Sequence, residues 1–258
     1  MKLKLLLFFI ISIILLTACD SKTKQDNKQD TVQEKSWDTI KIDPETSQVK
    51  QSKNSIDFVP KGFSIYKEEG VSEIRGDLNK DGLEDVVLII KATDKSKIIQ
   101  DETRGEMDKN RRGIIILFNK GNHYELALEN RDCFSSENED GGVYYPPELY
   151  PTIEKGNLII NYSHGRYGYW SYTFRFQKGD FELIGYDRSS NRGPVPQTET
   201  SINFLTQKKL TRDNLNKDDN GDDYVENFKD TWETINSKNL LKLSEIKDFD
   251  ELTYRMSN

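Results

Sequence analysis

Asp77, Asn79, Asp81 and Asp85 occupy positions one, three, five and nine of the loop Asp77-Leu78-Asn79-Lys80-Asp81-Gly82-Leu83-Glu84-Asp85, which follows Gly76. Gly82 falls at position six, where such a loop must turn sharply, and Leu83 at position seven can offer its backbone carbonyl. Calcium takes about 6–8 oxygen ligands at about 2.3–2.6 Å, and this spacing can wrap that ligand set around one ion. The expected metal residues are therefore Asp77, Asn79, Asp81, Leu83 and Asp85. An EF-hand would need a bidentate Glu at position twelve and a helix on each side. Position twelve is Leu88, inside an apolar run, so that arrangement is disfavoured. All the ligands come from one tight loop with no nucleophile or base beside them in sequence. The expected calcium is structural.

Other reactive side chains are few. The chain has two cysteines and two histidines. Cys133 has no neighbouring histidine and reads as a small buried hydrophobe. The densest polar and aromatic stretch runs from Tyr162 to Trp170. His164, Arg166, Tyr167, Tyr169 and Trp170 form a candidate ligand surface, because Tyr, Trp and Arg dominate recognition sites. The competing reading is a β-hairpin with cross-strand aromatic pairs and glycine-containing bends. There is no Gly-x-Ser-x-Gly elbow, no His-Glu-x-x-His helix and no phosphate loop. No catalytic residue is assigned, and the expectation leans away from an enzyme.

The other cysteine closes the amino-terminal signal. Lys2 and Lys4 precede the run Leu5–Leu16, which is apolar apart from Ser12, and Leu16-Thr17-Ala18-Cys19 follows. The run is shorter than the roughly 20 apolar residues a membrane-spanning helix needs, and it suits a cleaved export signal. Its ending resembles the lipobox of bacterial lipoproteins. That resemblance implies cleavage after Ala18, a diacylglyceryl thioether on Cys19 and acylation of the new amino terminus. Each acyl chain then gains about 0.8 kcal/mol per buried methylene. Residues 20–54 are mostly Lys, Asp, Gln, Asn, Ser and Thr and cannot bury enough apolar surface to order themselves. They read as a polar tether, leaving residues 55–258 as the globular domain.

Without the signal's lysines the chain carries 35 basic against 44 acidic residues, a formal charge of −9. Nucleic-acid binding needs basic patches, so that class is excluded. With Cys19 assigned to lipid, Cys133 has no disulfide partner.

The elements that must hold the loop and the aromatic stretch are strands. Val86–Ile90 and Ile114–Phe118 are continuous apolar runs, expected as central strands buried on both faces. Trp170, Tyr172, Phe174 and Phe176 alternate with polar residues, the pattern of a half-buried antiparallel strand. Lys178-Gly179 turns that strand back toward Phe181–Tyr186. Near the end the period changes. Val225, Phe228, Trp232 and Ile235 predict a helix face, with Asp223 and Glu226 as its capping pair. The acidic stretch Asp213–Asp223 reads as the loop leading into it, and Ser244–Leu252 predicts a second short helix. The expected fold is mainly β, a β-rich α+β arrangement of antiparallel sheets and hairpins with one or two short carboxyl-terminal helices. It is not a full propeller.

The acidic loop followed by an apolar strand resembles the calcium-binding loops of FG-GAP and VCBS-type repeats. The likeness covers residues 74–91 and implies a loop that cross-braces neighbouring strands. Tyr172–Phe176, Leu183–Asp187 and Thr200–Leu205 are similar to segments of an uncharacterised class of exported lipoproteins. In that class a paired-cysteine, Gly-Gly segment is also found, whereas this chain has Cys133 and Gly141-Gly142 without a second cysteine. The functional expectation is a lipid-anchored cell-envelope protein, at the outer membrane, acting as a non-enzymatic interaction module for a protein or glycan ligand. The alternatives are an extracytoplasmic hydrolase or carbohydrate-active protein, and a periplasmic immunity-type protein.

Overall fold

The two apolar runs become neighbouring strands in the middle of one sheet. The computed structural model describes residues 50–67, 72–139, 148–218, 224–237 and 239–252. Cys19 and residues 20–49, expected as a tether, lie outside the described residues, as do Gly141-Gly142. The first sheet contains β1 (Gln51–Ser52), β2 (Phe63–Ile65), β3 (Ile74–Gly76) and β4 (Asp85–Ala92). A separate hairpin follows, β5 (Ile98–Asp101) and β6 (Gly105–Asp108), and then β7 (Arg112–Asn119) and β8 (Tyr124–Phe134) complete the first sheet. Its order is β1-β8-β7-β4-β2, with β3 also paired to β4, and every pairing is antiparallel. β1 pairs Gln51 with Glu125, so residues before 55, the expected start of the globular domain, also belong to the first sheet.

The burial of β4 and β7 explains their composition. Val86, Leu88, Ile90, Ile115 and Leu117 pack against Phe58, from the short 3-10 turn Ser55–Phe58. Val87, Ile89, Ile114 and Ile116 face the other way, into the main core. Side chains alternate across a strand, so burial on both faces needs an unbroken apolar run.

The second sheet is a seven-stranded antiparallel meander in sequence order. Its strands are β9 (Glu148–Glu154), β10 (Asn157–Ser163), β11 (Gly168–Gln177), β12 (Asp180–Arg192), β13 (Val195–Asn203), β14 (Lys208–Asn214) and β15 (Phe228–Thr234). Lys178 and Gly179 have φ of 53° and 84°, the left-handed pair that a two-residue hairpin requires. Tyr172 and Phe174 point into the main core as the alternation requires, beside Leu158, Ile160 and Tyr186. The three segments similar to exported lipoproteins fall on the adjacent strands β11, β12 and β13. The architecture is mostly β and antiparallel, with very little helix and no closed propeller among the described residues.

The helix expected over Val225–Ile235 is overturned. Residues Phe228–Thr234 form β15, in register with β14 from Lys208↔Thr234 to Asn214↔Phe228. The supposed apolar stripe is not buried as one face: Val225 is 68% exposed and Trp232 64%, while Ile235 packs against the main core. A strand here extends the meander and pairs its backbone groups with β14. Asp213 belongs to β14, and Asp223 lies outside the described residues. The second predicted helix is reduced to a 3-10 turn, Leu243–Glu245, and a helical turn at residues 249–252. This short segment sends Leu243, Ile246, Phe249 and Leu252 into the main core. The Asn130 amide holds it by donating to the carbonyls of Leu243 at 2.9 Å and Ile246 at 2.7 Å.

Candidate functional sites

The acidic loop joins β3 to β4 and is built from Asx-type turns. Asp77 Oδ1 accepts the N–H groups of Lys80 at 2.6 Å and Asp81 at 3.2 Å, and its Oδ2 accepts from Gly82 at 3.0 Å. Asn79 Oδ1 accepts from the Asp81 N–H, and Asp81 Oδ1 from the Leu83 N–H, each at 2.9 Å. Lys80 and Gly82 adopt φ of 65° and 87°, and Gly82 supplies the second left-handed turn without a Cβ penalty. The loop sits against the second sheet. A Cβ on Gly76 would lie 2.6 Å from the Ile153 side chain of β9, so β3 and β9 are in close contact here.

Asp85 has a different position from the other three. Its side chain is fully buried at the start of β4. Oδ2 accepts from the N–H groups of Leu78 at 2.8 Å and Asn79 at 3.3 Å, and Oδ1 accepts from the Asn119 N–H at 2.9 Å. One carboxylate thus ties both ends of the loop to the end of β7. Burial pushes the Asp85 carboxyl above the usual carboxylate range, while the three N–H bonds pull against it. Among the described residues no three His, Cys, Asp or Glu side chains are grouped to hold a metal. The donors around the turn are the Asp77 and Asp81 carboxylates, the Asn79 amide oxygen and the Leu83 carbonyl, while the fifth expected ligand, Asp85, has its oxygens on three backbone N–H groups. Asp77 Oδ2, Asn79 Oδ1 and both Asp81 oxygens each accept one hydrogen bond in the loop, which leaves a lone pair on each. An all-oxygen set fits calcium and not a soft transition metal.

The aromatic stretch does not form one surface. Ser163 ends β10, Gly165–Tyr167 is a 3-10 turn, and β11 starts at Gly168. Trp170 is half-buried and stacks on Tyr162, with ring centroids 5.5 Å apart and planes 14° apart. His164 lies against the same indole at 5.0 Å. Arg166 rests over the Tyr167 ring at 5.9 Å. Tyr169 points to the opposite face of β11 and is 46% exposed. The five residues are thus split between the two faces and the turn. Gly168 is required at the bend: its φ is 107°, and a Cβ would lie 2.0 Å from the Ser189 carbonyl oxygen.

Among the described residues, no carboxylate is hydrogen-bonded to His164 or Arg166. Burial lowers the His164 pKa, and the nearby Asp250 charge opposes that shift. A histidine whose folded pKa is depressed stabilises the fold above its unfolded value, and that contribution is lost as the pH falls through the folded value. Imidazole resonances followed by NMR should place the His164 midpoint below the usual value of about 6.5. His164→Asn should flatten the acid side of the stability profile.

A cleft of about 430 Å³ opens between the sheets, with Tyr66, Ile74 and Ile89 on one side and Leu149, Pro151 and Ser163 on the other. Neither His164 nor Arg166 lines it. Cys133 is fully buried, and burial pushes its thiol far above the ordinary range, so it is not a nucleophile.

No family model matches the chain, and comparisons with curated proteins and with solved structures return no match.

Two buried basic groups are not among the residues expected from the sequence. Lys91 and Arg112 face each other across β4 and β7 at the end of the main core, 7% and 2% exposed. Lys91 pairs with Asp108 at 2.9 Å and with Glu137. Arg112 lies over the Tyr66 ring at 4.9 Å and donates through Nε to the Ser135 carbonyl at 2.9 Å. The signal was present: Lys91 directly ends one apolar run and Arg112 stands just before the other. Charges so close to buried runs must themselves be buried and paired.

Proposed function

We propose that this chain is a lipid-anchored, non-enzymatic interaction module of the cell envelope, held by acyl chains on Cys19 and braced by one calcium in the Asp77 loop. The observation that carries the binding part is the outward face of the second sheet. That face presents Tyr150 on β9 and Tyr169 on β11, 43% and 46% exposed, with the partly exposed Asn161 and Asp187 beside a buried Ser171. Exposed tyrosines on a rigid sheet suit recognition of a protein or glycan, because they offer contact area with little side-chain entropy to lose. The separation of His164 and Arg166 from the intersheet cleft gives the hydrolase alternative no support. An immunity-type role is one form of the binding reading, in which the acidic body meets a basic partner.

Affinity capture from detergent-solubilised membranes, with and without chelator, tests the binding reading. Enrichment of a protein or glycan that falls at least about tenfold with Tyr169→Ala supports it, since a hot-spot aromatic contributes about 2 kcal/mol or more. Enrichment of nothing in either condition overturns it. The anchor is tested separately. Cys19→Ala should abolish lipid labelling and release the chain from membranes.

The calcium reading predicts a melting temperature that rises on adding calcium. At a hundredfold excess over the dissociation constant the gain is about 2.7 kcal/mol. The double variant Asp77→Asn and Asp81→Asn should lose that rise, which differential scanning calorimetry would read. A wild-type melting temperature indifferent to calcium removes the ion from this account.

A further inference from the structure

We infer that β15 is the pairing edge of a two-fold homodimer, in which the second sheets of two copies join antiparallel through Phe228–Thr234. Among the described residues β15 is hydrogen-bonded on one side only, to β14, and every residue after Phe228 in it is exposed. The ladder to β14 is bracketed by Leu215 N–H to the Asn227 carbonyl at 2.7 Å and Ile235 N–H to the Gln207 carbonyl at 3.0 Å. The odd-numbered residues of β15 therefore turn their backbone groups toward β14. The N–H and C=O groups of Phe228, Asp230, Trp232 and Thr234 point away from the sheet, a row of unmatched donors and acceptors.

A second copy matches this row and its side chains. With the two-fold axis at Thr231, Phe228 pairs with Thr234 of the second copy and Asp230 with Trp232, all through outward-pointing backbone groups. Lys229 then stands opposite Glu233 of the second copy, at a non-hydrogen-bonded position where side chains come closest. This happens twice, once on each side of the axis. Within one chain Lys229 neighbours Asp213, and Glu233 neighbours Lys209, whose ammonium lies 3.7 Å from it. The joined sheet thus carries the unbroken row Lys209, Glu233, then Lys229 and Asp213 of the second copy, with charges alternating along it. The axis itself is flanked by threonines, since Thr200, Thr211 and Thr231 align across β13, β14 and β15.

The neighbouring registers lack this match. Sliding two residues one way sets Asp230 against Asp230, a like-charge pair. Sliding the other way sets Trp232 against Trp232 but Lys229 against Ile235, so both opposite-charge pairs are lost. Charged residues on an edge strand ordinarily deter pairing. Here Asp230 deters one wrong register, and the Lys229–Glu233 pairs form only in the proposed one. The pairing also covers Trp232, the large aromatic that is 64% exposed in one chain.

Cysteine scanning on the full chain tests this, in a Cys19→Ala background that leaves buried Cys133 as the native thiol. Under mild oxidation Thr231→Cys should give a disulfide-linked dimer, at least about tenfold more than Asp230→Cys or Trp232→Cys, because only position 231 faces itself at the closest cross-strand spacing. Preferential cross-linking at 230 or 232 overturns the register. No cross-linking at any of the three, with a monomer in sedimentation, overturns the dimer. Charge exchange gives an independent reading. Lys229→Glu alone and Glu233→Lys alone should each weaken self-association by about tenfold. Mixing the two should restore it, since the mixed dimer pairs opposite charges at both positions. Undiminished self-association of both single variants, with circular dichroism showing them folded, also overturns the proposal.

Discussion

Phe249→Ala is expected to cost about 3–5 kcal/mol of unfolding free energy, read as a shift in the urea midpoint. Phe249 is fully buried and comes from a segment with almost no regular structure of its own. Its ring stacks on Phe134 at 4.9 Å and meets Tyr172 edge-on at 5.0 Å, with Phe174 at 6.2 Å. Phe134 belongs to the first sheet and the two others to the second. The ring therefore fills space that both sheets share, and neither can close on the cavity without moving the other. Phe249→Leu should recover more than half of the loss by refilling most of that volume. A midpoint unchanged in Phe249→Ala would mean that the carboxyl-terminal segment does not pack between the sheets.

Asp85→Ala is expected to cost about 3 kcal/mol or more, because it strips the acceptor from three N–H groups at a buried position, each worth about 1–3 kcal/mol when orphaned. Calorimetry should show the same loss with chelator and with calcium, since the carboxylate acts through Leu78, Asn79 and Asn119. That separates Asp85 from Asp77 and Asp81, whose loss should matter chiefly when calcium is present. The pH dependence has a definite sign. Burial raises the folded pKa of Asp85. Its proton linkage therefore contributes stability at acidic pH, and the contribution is lost as pH rises through the folded value. The deficit of Asp85→Asn relative to the wild type should grow as pH is lowered from neutral into the carboxylate range. A deficit that shrinks on acidification would show that the N–H bonds outweigh burial.

Much of this protein was legible in order along the chain. The runs Val86–Ile90 and Ile114–Phe118 read as strands covered on both faces, and β4 and β7 are. The alternation from Trp170 to Phe176 assigned a buried face, and Lys178-Gly179 assigned a turn, because both are local stereochemistry. The Asp77 loop was legible as an oxygen-rich turn ahead of a strand, and the structure adds that side chains two residues apart close Asx turns on their own backbone. The stretch Val225–Ile235 was misread because a spacing of three and four residues also fits a strand at the edge of a sheet. The partner strand β14, and not the stretch itself, decides between them.

Sequence alone determined the central strands, the β11–β12 hairpin and the oxygen-rich composition of the acidic loop, since each depends on residues a few positions apart. Tertiary structure alone decided that Asp85 lies beneath the loop as its brace, that His164 and Tyr169 face opposite ways, and that Lys91 meets Arg112. It also decided that Phe249 closes the core and that β15 ends the second sheet. Each of these depends on which distant segment lies alongside, and that is settled by burying apolar area and pairing backbone groups over the whole body at once.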